Sequence, residues 1–281
     1  MSIIKKNVMR KNGIYTVLIA SVLFLFFSCA TNNPFTDQDP YVSALGDVGS
    51  YIFTTTDQDL ISRFIDIKQI RFTRVSGVYD PVTQRYYGAL EGKFSKFVAE
   101  TGISLSKEFK KEKIGKLTVW TYEKNNIRLT VPSNGVILFA SDDLVSVYEK
   151  TFKFRERKIS EIIISMLVNA SSAMYVQSPS VMPDFGLDLS ESVMERFDYI
   201  LATVNEENKY SVNFTLITRE YSDSFFKLIK MAYTTEERRK GVKNDINHLK
   251  TILTQEDLSV FLKDQDFTDE LFLNMIDINL Q

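Results

Sequence analysis

The spacing of hydrophobic residues changes period repeatedly along this chain of 281 residues. In the stretch Lys209–Thr218 apolar and polar residues alternate, which is typical of a β-strand with one buried face. In the stretch that begins at Ser222, apolar residues recur instead at steps of three and four, which is typical of an amphipathic helix. The stripe on this helix consists of Phe225, Leu228, Ile229, Ala232 and Tyr233. The changes of period predict a chain that mixes strands with helices.

The same reading, applied from residue 39 to the end, predicts two series of elements. In the first series, strands are predicted at Tyr51–Thr55, Arg71–Tyr79, Arg85–Gly92, Lys116–Tyr122, Ile127–Val131 and Val136–Ala140, and helices near Asp39–Leu45 and at Asp57–Ile65, Lys93–Lys110 and Asp142–Phe152. In the second series, strands are predicted at Ala173–Gln177, Phe197–Val204, Lys209–Thr218, Leu249–Leu253 and Leu258–Lys263, and helices at Ser160–Ala170, Ser190–Arg196, Ser222–Lys240 and Thr268–Asn279, the last with a strand as the alternative. Turn residues separate the paired strands, as in Ser133-Asn134-Gly135.

The order of elements in the two series is similar, which indicates two repeats of one architecture. Residues 71–110 correspond to residues 197–233, and residues 136–150 correspond to residues 258–277. The second series lacks a counterpart for one strand of the first. The expected fold is α+β, with antiparallel sheets backed by helices on one face. The expected repeats are residues 41–156 and 157–281.

The N-terminal region has the three parts of an export signal. Four basic residues precede an apolar run from Ile14 to Phe27, and the small Ser28 precedes Cys29, the only cysteine in the chain. The apolar run is short compared with the roughly 20 residues that cross a bilayer. We therefore expect a signal peptide at residues 1–28 and a tether at residues 29–40. An ordinary signal peptide, or a membrane anchor with an incidental thiol, is the alternative.

A cysteine directly after such a run resembles the lipobox of bacterial lipoproteins, and Phe26-Phe27-Ser28 is similar to the relaxed lipoboxes of spirochaetes. This resemblance implies that Cys29 is acylated, that the signal is cut before it, and that the protein is anchored durably in a lipid bilayer. Ala30 occupies a position where Asp holds many lipoproteins at the inner membrane. The resemblance therefore favours the periplasmic side of the outer membrane.

The composition of the mature chain disfavours several classes of function. Residues 1–28 hold four of the 34 Lys and Arg residues and none of the 36 Asp and Glu residues, which leaves a formal charge of −6 and disfavours a nucleic-acid partner. His248 is the only histidine, and the chain has no motif for a zinc site, a phosphate-binding loop or a nucleophile elbow. Acidic runs such as Asp264–Glu270 are better explained as helix caps than as calcium sites. We expect no enzyme activity, no cofactor and no metal.

Two amphipathic stretches are the remaining candidates for function. One is the stripe from Phe225 to Tyr233, and the other contains Ile162, Ile163 and Met166 behind a basic segment. A helix of this kind packs on a sheet or settles into a membrane interface, and the pattern alone permits both.

With the relaxed lipobox, the size and the repeated α/β order, the chain resembles treponemal outer-membrane lipoproteins. The resemblance implies an envelope lipoprotein that binds lipid or membrane through an α+β domain with amphipathic helices. A protein-interaction module in envelope assembly is the first alternative, because strand edges accept partner strands. A carboxylate-dependent hydrolase of envelope polymers is the second.

Overall fold

Twelve strands in the described part of the chain form one antiparallel sheet. The structure is a computed structural model that describes residues 50–65, 67, 70–122, 126–153, 159–179, 189–239 and 246–266. The strands are β1 (Tyr51–Thr55), β2 (Phe72–Asp80), β3 (Arg85–Gly92), β4 (Phe109–Ile114), β5 (Leu117–Tyr122), β6 (Ile127–Ser133), β7 (Val136–Ala140), β8 (Ser172–Gln177), β9 (Phe197–Val204), β10 (Lys209–Leu216), β11 (Leu253–Glu256) and β12 (Ser259–Asp266). Their order across the sheet is β11-β12-β10-β9-β8-β1-β2-β3-β7-β6-β5-β4.

Seven α-helices accompany the sheet in the described part of the chain. They are α1 (Gln58–Phe64), α2 (Lys96–Leu105), α3 (Leu144–Val147), α4 (Glu161–Asn169), α5 (Glu191–Met194), α6 (Arg219–Arg239) and α7 (Ile246–Ile252). A π-helical turn, Tyr148–Lys153, continues α3. Several begin at a side-chain cap: the Asp57 carboxylate accepts hydrogen bonds from the backbone of Asp59 and Leu60 at the start of α1.

Near the centre of the sheet, the antiparallel pair β1 and β8 joins the two halves of the chain. Thr55 lies opposite Ser172 in this pair, and their hydroxyl oxygens are 2.7 Å apart. Outward from the pair, β2, β3 and β7 follow on one side, and β9, β10 and β12 follow on the other. α2 follows β3 in sequence as α6 follows β10. The division into repeats at residues 41–156 and 157–281 stays a prediction.

Two glycines let aromatic rings cover the middle of the first half. Gly77 of β2 and Gly88 of β3 lie directly opposite each other. A Cβ atom on Gly77 would lie 2.5 Å from the ring of Phe53, and one on Gly88 would lie 2.8 Å from the ring of Phe139. Phe64 of α1 packs against both rings, with centroid distances of 6.5 Å and 4.8 Å. The rings therefore occupy the space that larger side chains would fill.

Both faces of the sheet are covered by helices over part of its width. In β1, Tyr51 and Phe53 belong to one hydrophobic cluster while Ile52 belongs to the other, as the alternation of a strand requires. Buried residues of α1, α2, α6 and α7 pack in the first cluster, and those of α3 and α4 pack in the second. The α+β antiparallel fold is confirmed, but the expectation of helices on one face only was wrong.

Two elements differ from the sequence-based expectation. The helix expected over Lys93–Lys110 ends at Leu105, and the residues that follow form the strand β4. The strand expected at Leu249–Leu253 is instead the end of α7 followed by β11. The signal peptide, the tether with Cys29, the helix near Asp39–Leu45 and the helix at Thr268–Asn279 lie outside the described residues, and so does most of the acidic run Asp264–Glu270.

Candidate functional site

A cleft of about 470 Å³ opens on the face of the sheet that carries α4. α4 packs against β8 and β1, and the cleft lies beyond it, over β9, β10 and β12. Its lining residues are Met166, Asn169, Ala170, Leu201, Thr203, Val204, Asn205, Glu206, Ser211, Val212, Asn213, Phe261 and Lys263. The volume falls in the usual range for small-molecule sites, roughly 300–1,000 Å³.

Strand alternation explains which side chains reach the cleft. Leu201 and Thr203 are two residues apart on β9, as are Phe261 and Lys263 on β12, so each pair points to one face of the sheet. In both strands the other face holds residues of the first cluster, such as Ile200 and Val260. Each of these two strands therefore contributes one apolar and one polar side chain to the cleft.

Leu201 and Phe261 form the apolar floor of the cleft. Leu201 is almost completely buried and Phe261 is half-buried. The methionine Met166 projects from α4 beside them and is 44% exposed. A thioether side chain adapts to ligands of different shapes, which makes methionine frequent at promiscuous binding surfaces.

The charged residues of the cleft wall are Lys263 and Glu206. The Lys263 ammonium lies 5.4 Å from the centroid of the Phe261 ring, within range of a cation–π interaction. The nearby amides are used internally, because Asn205 Oδ1 accepts two backbone hydrogen bonds and Asn213 Oδ1 accepts one from Thr215. An apolar floor with a cation at its edge suits an amphiphilic ligand.

Of the three α4 residues that the sequence pattern identified, one is buried and two are exposed. Ile163 is buried against the sheet. Ile162 and Met166 are 69% and 44% exposed and lie one turn apart on the outer side of the helix. The exposed pair therefore continues the apolar surface from the cleft to the outside of α4.

The stripe on α6 is divided in the same way, on the opposite face of the sheet. Phe225 and Ile229 are buried, and the Phe225 ring meets the ring of Phe197 at a centroid distance of 5.1 Å. Tyr233 is half-buried, whereas Leu228 and Ala232 are exposed. The stripes of α4 and α6 are thus not brought together. Their membrane contact stays a prediction, and for the buried residues it would require the helix to leave the sheet.

Solved structures of another protein share this fold. The fold is similar to that of TP0453, a treponemal protein. The structure from its crystal form I covers 86% of this chain and 97% of TP0453, with a sequence identity of 12% and a TM-score of 0.54. Its crystal form III is 13% identical over 85% and 97% of the two chains, with a TM-score of 0.53. No protein-family model and no curated protein matches the chain. At this identity the likeness to TP0453 shows a shared fold.

Further exposed apolar residues escaped the sequence analysis. Phe97 and Leu105 on α2 are 77% and 74% exposed, and Met231 on α6 is also exposed. The spacing of apolar residues in α2 could have indicated this. Ala99 and Ile103, which are buried, are four residues apart on one side of the helix, and Phe97 and Leu105 lie outside that side. Such residues off the buried stripe indicate an apolar outer surface.

Metal-binding clusters and bilayer-crossing helices are both absent from the described residues. These residues contain no group of three or more His, Cys, Asp or Glu side chains that could hold a metal ion. None of their helices combines the length and hydropathy that a bilayer-crossing segment needs. The backbone of His248 lies in α7.

Proposed function

We propose that this protein is a non-enzymatic lipoprotein of the bacterial envelope, anchored through acylated Cys29, whose α+β domain binds lipid. The periplasmic side of the outer membrane is the proposed location. The observation that carries the proposal is the continuous apolar surface from the cleft floor to the outer side of α4, formed by Leu201, Phe261, Met166 and Ile162.

Lipid is the ligand class that suits this surface best. Apolar groups favour burial of hydrocarbon by about 25 cal/mol for each Å² removed from water. Met166 lines the cleft and Ile162 lies one turn away on the outer side of α4, so a hydrocarbon chain longer than the cleft can also contact Ile162. Lys263 at the wall offers a charge to an anionic headgroup. A treponemal protein of the same fold is consistent with a role in such an envelope.

The proposal is tested with the chain from residue 29 onwards, carrying Cys29→Ala so that no acyl group contributes. The unacylated chain is expected to float with phosphatidylcholine vesicles and to retain lipid that organic solvent extracts. The variant Ile162→Ser, Met166→Ser removes apolar groups that are exposed, Met166 in part, and it is expected to lose most of the binding.

A matched control is Val82→Ser. Val82 is also an exposed apolar residue, but it lies in the turn between β2 and β3. The control should bind as the parent does. A parent chain that neither floats nor carries lipid would refute lipid binding by the domain.

A further inference from the structure

The residues around α2 and β4 carry a charge opposite to that of the rest of the protein. Between residues 93 and 116 there are seven lysines and three glutamates, a net charge of +4 in a chain whose total is −2. β4 is an edge strand of the sheet, and Lys110, Lys111 and Lys113 on it are exposed. None of these three lysines takes part in the ion pairs found within the described residues.

Alternation along β4 sends its lysines to different faces. Lys111 lies opposite Trp120 of β5, which belongs to the cluster beneath α2, and Lys113 is two residues further along the same face. Lys110 points to the other face, together with Ile114, which packs against the second cluster. Lys111 and Lys113 therefore share a face with α2.

Contacts through Trp120 place the end of α2 beside Lys111. The indole nitrogen of Trp120 donates a hydrogen bond to Ser104 Oγ at 3.2 Å, and the Lys111 ammonium lies 5.5 Å from the centroid of the Trp120 ring. Leu105 follows Ser104 and ends the helix, and Lys107 lies in the turn to β4. The exposed Phe97 lies in the first turn of the same helix, about 12 Å from Leu105 along the helix axis.

Half-buried aromatic rings complete this edge. Phe109 of β4 stacks on Tyr122 of β5 with a centroid distance of 4.9 Å, and both pack against the cluster beneath α2. Aromatic rings, exposed apolar side chains and lysines in one place are the combination found where proteins meet the bilayer interface. We call Phe97, Leu105, Lys107, Lys111 and Lys113 the α2–β4 surface.

We propose that the α2–β4 surface docks the domain onto a lipid bilayer that contains anionic headgroups. The proposal rests on the proposed function and adds to it a second lipid contact, on the face of the sheet opposite to the cleft, with a named lipid class. The lysines provide the charge complementarity, because a basic residue near an anionic leaflet contributes about 1 kcal/mol. Phe97 and Leu105 favour a bilayer over a soluble polyanion, because a soluble polyanion offers no apolar phase to bury them. Lysines on an edge strand also discourage aggregation, but that role requires no apolar neighbours.

The test measures the partition of the Cys29→Ala chain between buffer and two kinds of vesicle. One kind is phosphatidylcholine alone, and the other contains an equal amount of phosphatidylglycerol. We expect tighter binding to the anionic vesicles, and a loss of this preference at about 1 M salt, where charges are screened within roughly 3 Å. The variant Lys111→Gln, Lys113→Gln should weaken anionic binding about 30-fold, since roughly 1 kcal/mol for each lysine corresponds to about fivefold.

Lys110→Gln is the control, because it removes one lysine charge from the same strand on the other face, and an effect of net charge alone would weaken binding about fivefold. It should change anionic binding by no more than about twofold, because Lys110 faces away from the docked bilayer and salt screens charges over about 8 Å. Phe97→Ser, Leu105→Ser should weaken anionic binding with all lysines present. These side chains are exposed, so urea unfolding followed by Trp120 fluorescence is expected to be unchanged.

Four results would overturn the inference. Equal binding to both kinds of vesicle would refute it while leaving lipid binding by the domain intact. A loss of about fivefold for Lys110→Gln, equal for each lysine to the loss in the double variant, would show that net charge acts and not this surface. A lysine effect without any effect of Phe97→Ser, Leu105→Ser would show that charge alone holds the chain to the vesicle and that the apolar side chains do not enter the bilayer. A chain that binds neither kind of vesicle and carries no extractable lipid would refute the proposed function as well.

Discussion

The substitution Gly88→Ala tests whether the close packing of β2, β3 and β7 is a requirement of this fold. A Cβ atom at position 88 would lie 2.1 Å from the carbonyl oxygen of Ser76 and 2.6 Å from Cα of Gly77. Both are backbone atoms of the neighbouring strand, so a rotamer change cannot relieve the overlap. The strands would have to separate, and the Phe139 ring at 2.8 Å would have to move with them.

The magnitude follows from two opposing effects. Alanine in a strand is ordinarily favoured over glycine by roughly 0.5–1 kcal/mol, because glycine loses more backbone freedom on folding. Overpacking in a rigid core costs about 1–3 kcal/mol and sometimes more. With contacts to backbone, we expect the upper part of that range and a net loss of about 2 kcal/mol in the free energy of unfolding. Gly77→Ala should cost less, because its two shortest contacts are with the Phe53 ring.

Urea unfolding monitored by tryptophan fluorescence measures this effect. Trp120 is the only tryptophan in the chain and is completely buried, so its emission reports the loss of the core. Gly115→Ala is the control for backbone strain without crowding, since Gly115 has a φ of 60° and a Cβ atom there would meet no other atom within 4 Å. Its cost should be about 1 kcal/mol. A stability of Gly88→Ala within about 0.5 kcal/mol of the parent would refute the packing argument.

Three further substitutions test other features of the fold. Asp57→Ala should lower the free energy of unfolding by about 1 kcal/mol in a urea titration, because it removes the cap of α1. Burial, aided by the Asp198 carboxylate, raises the pKa of Tyr175 to about 12. Because the pKa in the folded protein exceeds the ordinary value, the stability is retained below about pH 10 and falls towards pH 12. Tyr175→Phe should reduce that fall by up to about 2 kcal/mol. An unchanged slope between those pH values would contradict this. Ser104→Ala should cost about 1–3 kcal/mol in thermal or urea unfolding, since it leaves the buried indole N–H of Trp120 without its acceptor.

Strands with a buried face could be predicted from the sequence because their side chains alternate or are apolar throughout. β1 and β8 are examples, with predicted bounds that match or differ by one residue. β4 could not be predicted in this way, since its central residues Lys110–Lys113 are all exposed at the edge of the sheet. Its charged side chains satisfy a helical pattern equally well, and only pairing with β5 makes the segment a strand.

The candidate site depends on relations that a single sequence does not contain. The stripes of α4 and α6 were predicted, but the sheet face on which each packs follows from the topology. The cleft joins Met166 to Phe261, which are far apart in the chain and meet because β12 adds to β10. Sequence spacing could therefore propose amphipathic helices, whereas the choice between buried and exposed apolar residues required the fold.

The contact between β1 and β8 has a consequence for how the chain reaches its native state. Thr55 and Ser172 are 117 residues apart. Until the chain that contains β8 is present, β1 pairs with β2 only and its other edge stays open. All five side chains of β1 are buried in the folded protein, so an open edge of β1 can pair with a strand of a second copy of the chain. Pairing of β1 with β8 therefore competes with association between two incompletely folded molecules, and a higher concentration of such molecules favours association.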